Sequence, residues 1–107
     1  MSSFDDRKDA FESKFAHDEE LAFKVEARTI KLFGLWAAEQ LGLFDADAET
    51  YAKEVVAANL EEPGFDDVKR KVVPDFEAKN LDISEHTIDM KLQKYTEIAY
   101  AQIKEQS

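Results

Sequence analysis

The sequence predicts an all-α fold: an antiparallel four-helix bundle whose first helix carries an N-terminal arm, helical or flexible. Three observations predict it. Apolar residues recur at helical spacing in four successive stretches. The connections between them, near 42–47, 61–65 and 80–84, have the short lengths usual between bundle helices. Three Gly and two Pro in 107 residues leave little turn material for an all-β chain, while a 44% apolar fraction with eight Phe supplies one core. The expected organisation is an arm over 1–18 and a globular four-helix domain over 19–107.

Ser3 followed by Asp6 resembles a capping box, so a helix can begin near Asp5. Phe4, Phe11, Phe15, Ala22, Val25, Leu32 and Trp36 then fall along one helical stripe. The stripe is interrupted at Ala16-His17-Asp18-Glu19-Glu20, where three consecutive acids repel one another, and the interruption reads as a joint between the arm and the helix proper. From Leu21 to Leu41 the apolar face widens through Leu21, Val25, Leu32, Leu35 and Trp36, and Gly42 stands where a C′ glycine ends a helix. Gly34 inside this helix costs about 1 kcal/mol relative to Ala. Close approach of a neighbouring helix beside Trp36 explains its presence.

Asp45 or Asp47 can cap a second helix, with Ala48, Tyr51, Ala52, Val55, Val56 and Leu60 on its apolar side, until Pro63-Gly64 stops it. A third stretch starts at Phe65-Asp66-Asp67 and keeps helical phase through Val68, Val72, Val73 and Phe76. Pro74 predicts either a kink at Val73 or two short helices, with Asn80 as the stop. In the last helix Ser84 is the N-cap, Ile83 and Ile88 form a hydrophobic staple, and Ile88, Leu92, Tyr95, Ala99 and Ile103 are buried. Residues beyond that stripe are expected to fray.

Composition excludes several classes of function. With 14 Lys plus Arg against 24 Asp plus Glu, the formal net charge of −10 repels nucleic acid and anionic lipid. The absence of Cys removes disulfides, thiolate nucleophiles and thiolate metal sites. The opening residues lack the basic and apolar regions of a signal peptide, and the apolar stretch from Leu32 to Leu43 is too short to span a bilayer, so a cytoplasmic protein, not membrane-embedded, is expected. Gly34, Gly42 and Gly64 stand apart and cannot build a phosphate loop. No catalytic constellation is legible, and the chain is expected not to be an enzyme. His17, Asp18 and Glu20 are the best local metal set; only His17 and Glu20 share a helix face, and no metal site is expected.

The arm is amphipathic, with Phe4, Phe11 and Phe15 on one side and Asp5, Asp6, Arg7 and Lys14 among its polar residues. Burying one Phe fully contributes about 1.5–3 kcal/mol, so three need a cover. Two covers remain open: the bundle itself, or a partner's groove that takes the arm as a helix. His17 at the joint is either an exposed side chain without a regulatory role or a group whose protonation near about pH 6–7 alters the arm.

The run FDDRKDAFESKFAHDEELAFKVEARTIKLFGLWAAEQLG, continued through YAKEVV (Tyr51–Val56) and EEPGFDDVKRKV (Glu61–Val72), resembles the ζ subunit family of alphaproteobacterial F-type ATP synthases. The strings FDDR, KFAHD and Phe33-Gly34-Leu35-Trp36-Ala37-Ala38-Glu39 carry the likeness in order and spacing. It implies a four-helix protein that inhibits ATP hydrolysis by the F1 sector, with the F1 α, β and γ subunits as partners. The inhibitory segment would run from Phe4 to about His17, with Phe4, Phe11 and Phe15 as apolar anchors and Asp5, Asp6, Arg7 and Lys14 as polar contacts. The resemblance further implies a chain peripheral on the membrane-bound synthase when engaged, and weak binding of ATP or ADP with no other cofactor; the abundance of surface charge separately predicts a monomer when free. Thr29 and Ile30 stand where more polar or basic residues are expected, and Pro74 where an unbroken third helix is. The competing readings are a small-ligand or adenine-nucleotide-sensing bundle without inhibitory activity, and an unrecognised enzyme.

Overall fold

The structure, a computed structural model, describes residues 3–59 and 64–106, with side chains for 20–59 and 64–105. Among the described residues lie four helices: α1 (Ser3–Gln40), α2 (Asp45–Ala58), α3 (Asp66–Ala78) and α4 (Glu85–Gln106). The helical backbone of α1 passes through 16–20 without a break. The Ser3 and Asp6 side chains of the expected capping box lie outside the described residues.

Cross-helix contacts fix an antiparallel order. Gly34 of α1 meets Ala52 of α2, and farther back Glu26 accepts a hydrogen bond from Asn59 at 3.4 Å. Arg28 donates to Gln102 of α4 at 2.8 Å, so early residues of α1 face late residues of α4. Tyr51 reaches Asp75 while Glu54 reaches Lys71, which runs α3 back along α2. α1 is the spine: it packs most extensively on α2 and α4, and α3 closes mainly against α2.

The termini follow backbone chemistry. After α1, the amide of Gly42 donates to the carbonyl of Glu39 at 3.0 Å and that of Leu43 to Ala38 at 2.9 Å, a Schellman motif. Gly42 takes a φ of 78°, as the sequence predicts for a C′ residue. Asn80 does the same after α3, with φ of 57° and Leu81 donating to Phe76 at 3.0 Å. Ser84 caps α4 by accepting from the Thr87 amide at 3.1 Å, while Ile88 is fully buried and Ile83 packs beside the same core. α4 reaches Gln106 rather than fraying soon after Ile103.

Three expectations are corrected. Neither Asp45 nor Asp47 caps α2: Phe44 occupies the N-cap position and makes no side-chain cap bond. Asp45 instead takes a φ of 52°, a left-handed conformation that Asp tolerates, and both acids sit in the first turn where they complement the helix dipole. Pro74 does not divide the third stretch, since α3 includes it as one helix. It is exposed, and apolar neighbours Val72 and Phe76 are buried on the other side, so packing holds the helix together around it. Thr29 and Ile30 are core residues rather than sites for polar ones: Thr29 is 0% exposed and its hydroxyl donates to the Val25 carbonyl at 2.7 Å.

The main core joins Ile30, Phe33 and Ala37 of α1, and Leu41 just after it, to Val55, Val68, Phe76 and Ile88, with further residues from all four helices. A second cluster joins Val25 to Ala99 and Ile103, with Leu21 and Leu32 packed against it. Trp36 sits half-buried at the core's edge, its ring 5.4 Å from that of Phe33 and 6.0 Å from that of Phe76 in a T-shaped arrangement. Leu35, expected on the buried face, lines an open groove instead.

Candidate functional site

The eight residues singled out from the sequence, Phe4, Asp5, Asp6, Arg7, Phe11, Lys14, Phe15 and His17, fall within the span of α1, and their side chains lie outside the described residues. The structure therefore places them on one helical segment that continues into the spine of the bundle. Among the described residues no three His, Cys, Asp or Glu side chains converge as metal ligands, and no helix is long and apolar enough to cross a membrane.

One polar network braces α2 against α3. The Tyr51 hydroxyl donates to Asp75 at 2.7 Å, Lys71 donates to the same carboxylate oxygen at 2.9 Å, and the Lys71 ammonium lies 4.9 Å over the Tyr51 ring. Burial, then the bond to Asp75 and the nearby carboxylate charges, holds the Tyr51 hydroxyl well above its ordinary pKa, so it remains a donor. Burial of Asp75 works to raise its pKa, but the hydrogen bonds from Tyr51 and Lys71 together with the Lys71 charge outweigh it and hold the carboxyl below its ordinary value. A depressed folded pKa means a stabilisation that is complete above the unfolded value, about 3.9, and is lost as pH falls through the folded one. We therefore expect Tyr51→Phe to cost about 1 kcal/mol at neutral pH and to flatten the loss of stability below about pH 4. Urea titrations of both proteins across that range check this; a parent and variant whose difference is independent of pH would remove Asp75 from the account.

Another brace secures the approach to α3. Glu26 accepts from the Gly64 amide at 2.6 Å, tying the start of the third stretch to α1.

A groove of about 760 Å³ runs between α1 and α2, with Ile103 of α4 also on its lining. Lys24, Arg28 and Lys31 of α1 and Lys53 of α2 line it together with one carboxylate, Glu49. Sequence reasoning missed this set. Its signal was partly present, because positions 24, 28 and 31 recur at i, i+4, i+7 on one helix face. The addition of Lys53 depends on the Gly34–Ala52 approach, which pattern alone does not locate.

A family model described as ATPase inhibitor subunit zeta matches residues 1–102, which take in the whole of α1, the expected arm over 1–18 included, and most of α4. The chain belongs to this family. It is also similar to a protein whose structure was solved in solution by NMR: the two are 42% identical, with a TM-score of 0.68 over 79% of this chain and 96% of that one. No curated protein matches the chain. The match thus spans residues 1–18 as well as the helical core, and the ζ resemblance carried by the FDDR, KFAHD and Phe33–Glu39 strings agrees with it.

Proposed function

We propose that the chain is a non-catalytic inhibitory subunit of a bacterial F1Fo ATP synthase that blocks ATP hydrolysis with its N-terminal segment. The segment from Phe4 to about His17 inserts as a helix at a catalytic α/β interface beside the γ rotor. Phe4, Phe11 and Phe15 enter apolar pockets of that interface, and Asp5, Asp6, Arg7 and Lys14 make polar contacts around them. Hydrolysis requires the interface to close and reopen in turn, and a helix wedged there prevents both. The four-helix domain stays outside and anchors the arm, which places the protein on the cytoplasmic, peripheral side of the synthase.

The observation that carries this reading is the family match over residues 1–102, because it takes in the arm together with the bundle. The physical support is that the arm belongs to the span of α1 and has its three Phe at helical spacing. The test is ATP hydrolysis by F1 depleted of endogenous inhibitor, with the full-length chain and with a version starting at Glu19. Every core residue of the two described clusters lies at or after Leu21, so the shorter chain keeps them all. Inhibition by the full chain alone is the expected result. Equal inhibition by both would move the activity out of the arm, and inhibition by neither, with both folded, would end the proposal.

A further inference from the structure

The groove between α1 and α2 has a charge opposite to that of the protein that bears it. The chain has a formal net charge of −10, yet four cations and one carboxylate line this concavity. On α3, Lys69 pairs with Asp89 and Glu85, Arg70 with Asp67, and Lys71 with Asp75 and Glu54. In the groove Arg28 bonds the neutral Gln102, and among the described residues Lys24, Lys31 and Lys53 have no carboxylate partner. Unpaired like charges held on one face repel one another, and an occupant bearing carboxylates relieves that repulsion.

The layout distinguishes an extended acidic occupant from a compact anion. Lys24, Arg28 and Lys31 are strung along about 10 Å of α1 at 1.5 Å per residue. A phosphate cradle instead gathers donors and backbone amides at one point, usually a helix N-terminus. Here the groove runs along the middle of α1, beside Ala52 and Val56 of α2. Between the cations the lining is apolar and partly small, through Ala27, Leu35, Ala52 and Ile103. Phe23, 65% exposed, stands at the same surface as a large aromatic available for cover. A row of cations beside an apolar trough matches a helix with an apolar stripe and a carboxylate flank.

We infer that this groove docks an acidic amphipathic helix of the ATPase, and so gives the bundle a hold on its target separate from that of the arm. The identity of the partner rests on the proposed function; the chemistry of the groove does not. Docking of this kind tethers the arm at raised local concentration, so losing it weakens inhibition without changing its final extent.

The test titrates the isotope-labelled full-length chain with two helical peptides that share a Leu stripe, one flanked by Glu and the other by Lys, and separately with ATP. The Glu peptide is expected to shift the amides of Ala27, Lys31, Leu35 and Lys53, and its affinity to fall at least about tenfold in the full-length Lys31→Glu/Lys53→Glu variant. Both lysines are exposed, so the variant is expected to fold, and circular dichroism checks it. Equal shifts from both peptides, an absence of shifts at these residues, or shifts from ATP alone would each overturn the inference, the last in favour of a small-anion pocket. The same variant is then expected to raise the half-inhibitory concentration against F1 with unchanged maximal inhibition; unchanged potency would also overturn it. A parent chain that fails to inhibit F1 counts against the proposed function alone, and the peptide titration still decides the groove.

Discussion

Replacing Phe33 by Ala is expected to remove about 3–5 kcal/mol of stability, because Phe33 is one of the largest fully buried side chains of the bundle. Phe33 is 0% exposed and lies in the main core, with the tilted Trp36 ring 5.4 Å away. It sits on α1, which packs on both α2 and α4, so no single neighbour can collapse into the cavity left behind. A small domain has about 5–15 kcal/mol in total, and a loss of this size lowers Tm by more than about 10 °C. Phe23→Ala supplies the contrast on the same helix: at 65% exposure it is expected to cost no more than about 0.5 kcal/mol. Thermal and urea unfolding followed through the single Trp measure both. Near-equal losses for the two variants would mean that the packing of α1 has been misassigned.

Phe33 also shows why part of the core was not legible. The stripe read from the sequence ran through Leu32, Leu35 and Trp36, and periodicity placed Leu35 inside. α1 in fact packs on two helices at once, so its buried surface spreads over Thr29, Ile30, Phe33, Ala37 and Ala38. A helix with two partners has a broad buried arc, and a single-stripe reading is offset within it. Thr29 was misleading for a related reason. Its hydroxyl is satisfied inside its own helix by the Val25 carbonyl, which lets a polar residue enter the core at little cost.

The helix ends were far more legible, because they depend on local chemistry. Gly42 and Asn80 end α1 and α3 in left-handed conformations, and Ser84 caps α4 through its own oxygen. Gly34 was legible in kind: a Cβ there would lie 2.9 Å from the Ala52 Cα, and the need for that approach follows from a glycine in mid-helix. The failure at α2 has the same logic in reverse. Asp45 and Asp47 are good capping residues, but the turn after Gly42 delivers Phe44 to the N-cap position, and an offset of one residue for Asp45 and three for Asp47 decides which side chain can reach the free amides. The groove combines both situations. Three of its cations share one face of α1 and are visible in the sequence, whereas Lys53 joins them only through helix pairing.

The arm admits the sharpest separation of stability from function. The double substitution Phe11→Ala/Phe15→Ala is expected to raise the concentration of full-length chain needed to inhibit F1 by at least about a hundredfold, since buried aromatic anchors commonly cost 2 kcal/mol or more each on truncation and about 1.4 kcal/mol is a factor of ten. Charge changes at Arg7 or Lys14 should do less, because exposed polar contacts at an interface edge mainly affect encounter. The same double variant should unfold at the parent Tm, as both described core clusters are built from residues at or after Leu21. This pairing of results discriminates between the two covers that the three Phe allow. If the bundle covers them, the variant loses Tm and keeps its potency once folded. If the ATPase covers them, Tm is kept and potency is lost, because the apolar surface of the arm is then unburied until the target supplies the other half of the contact.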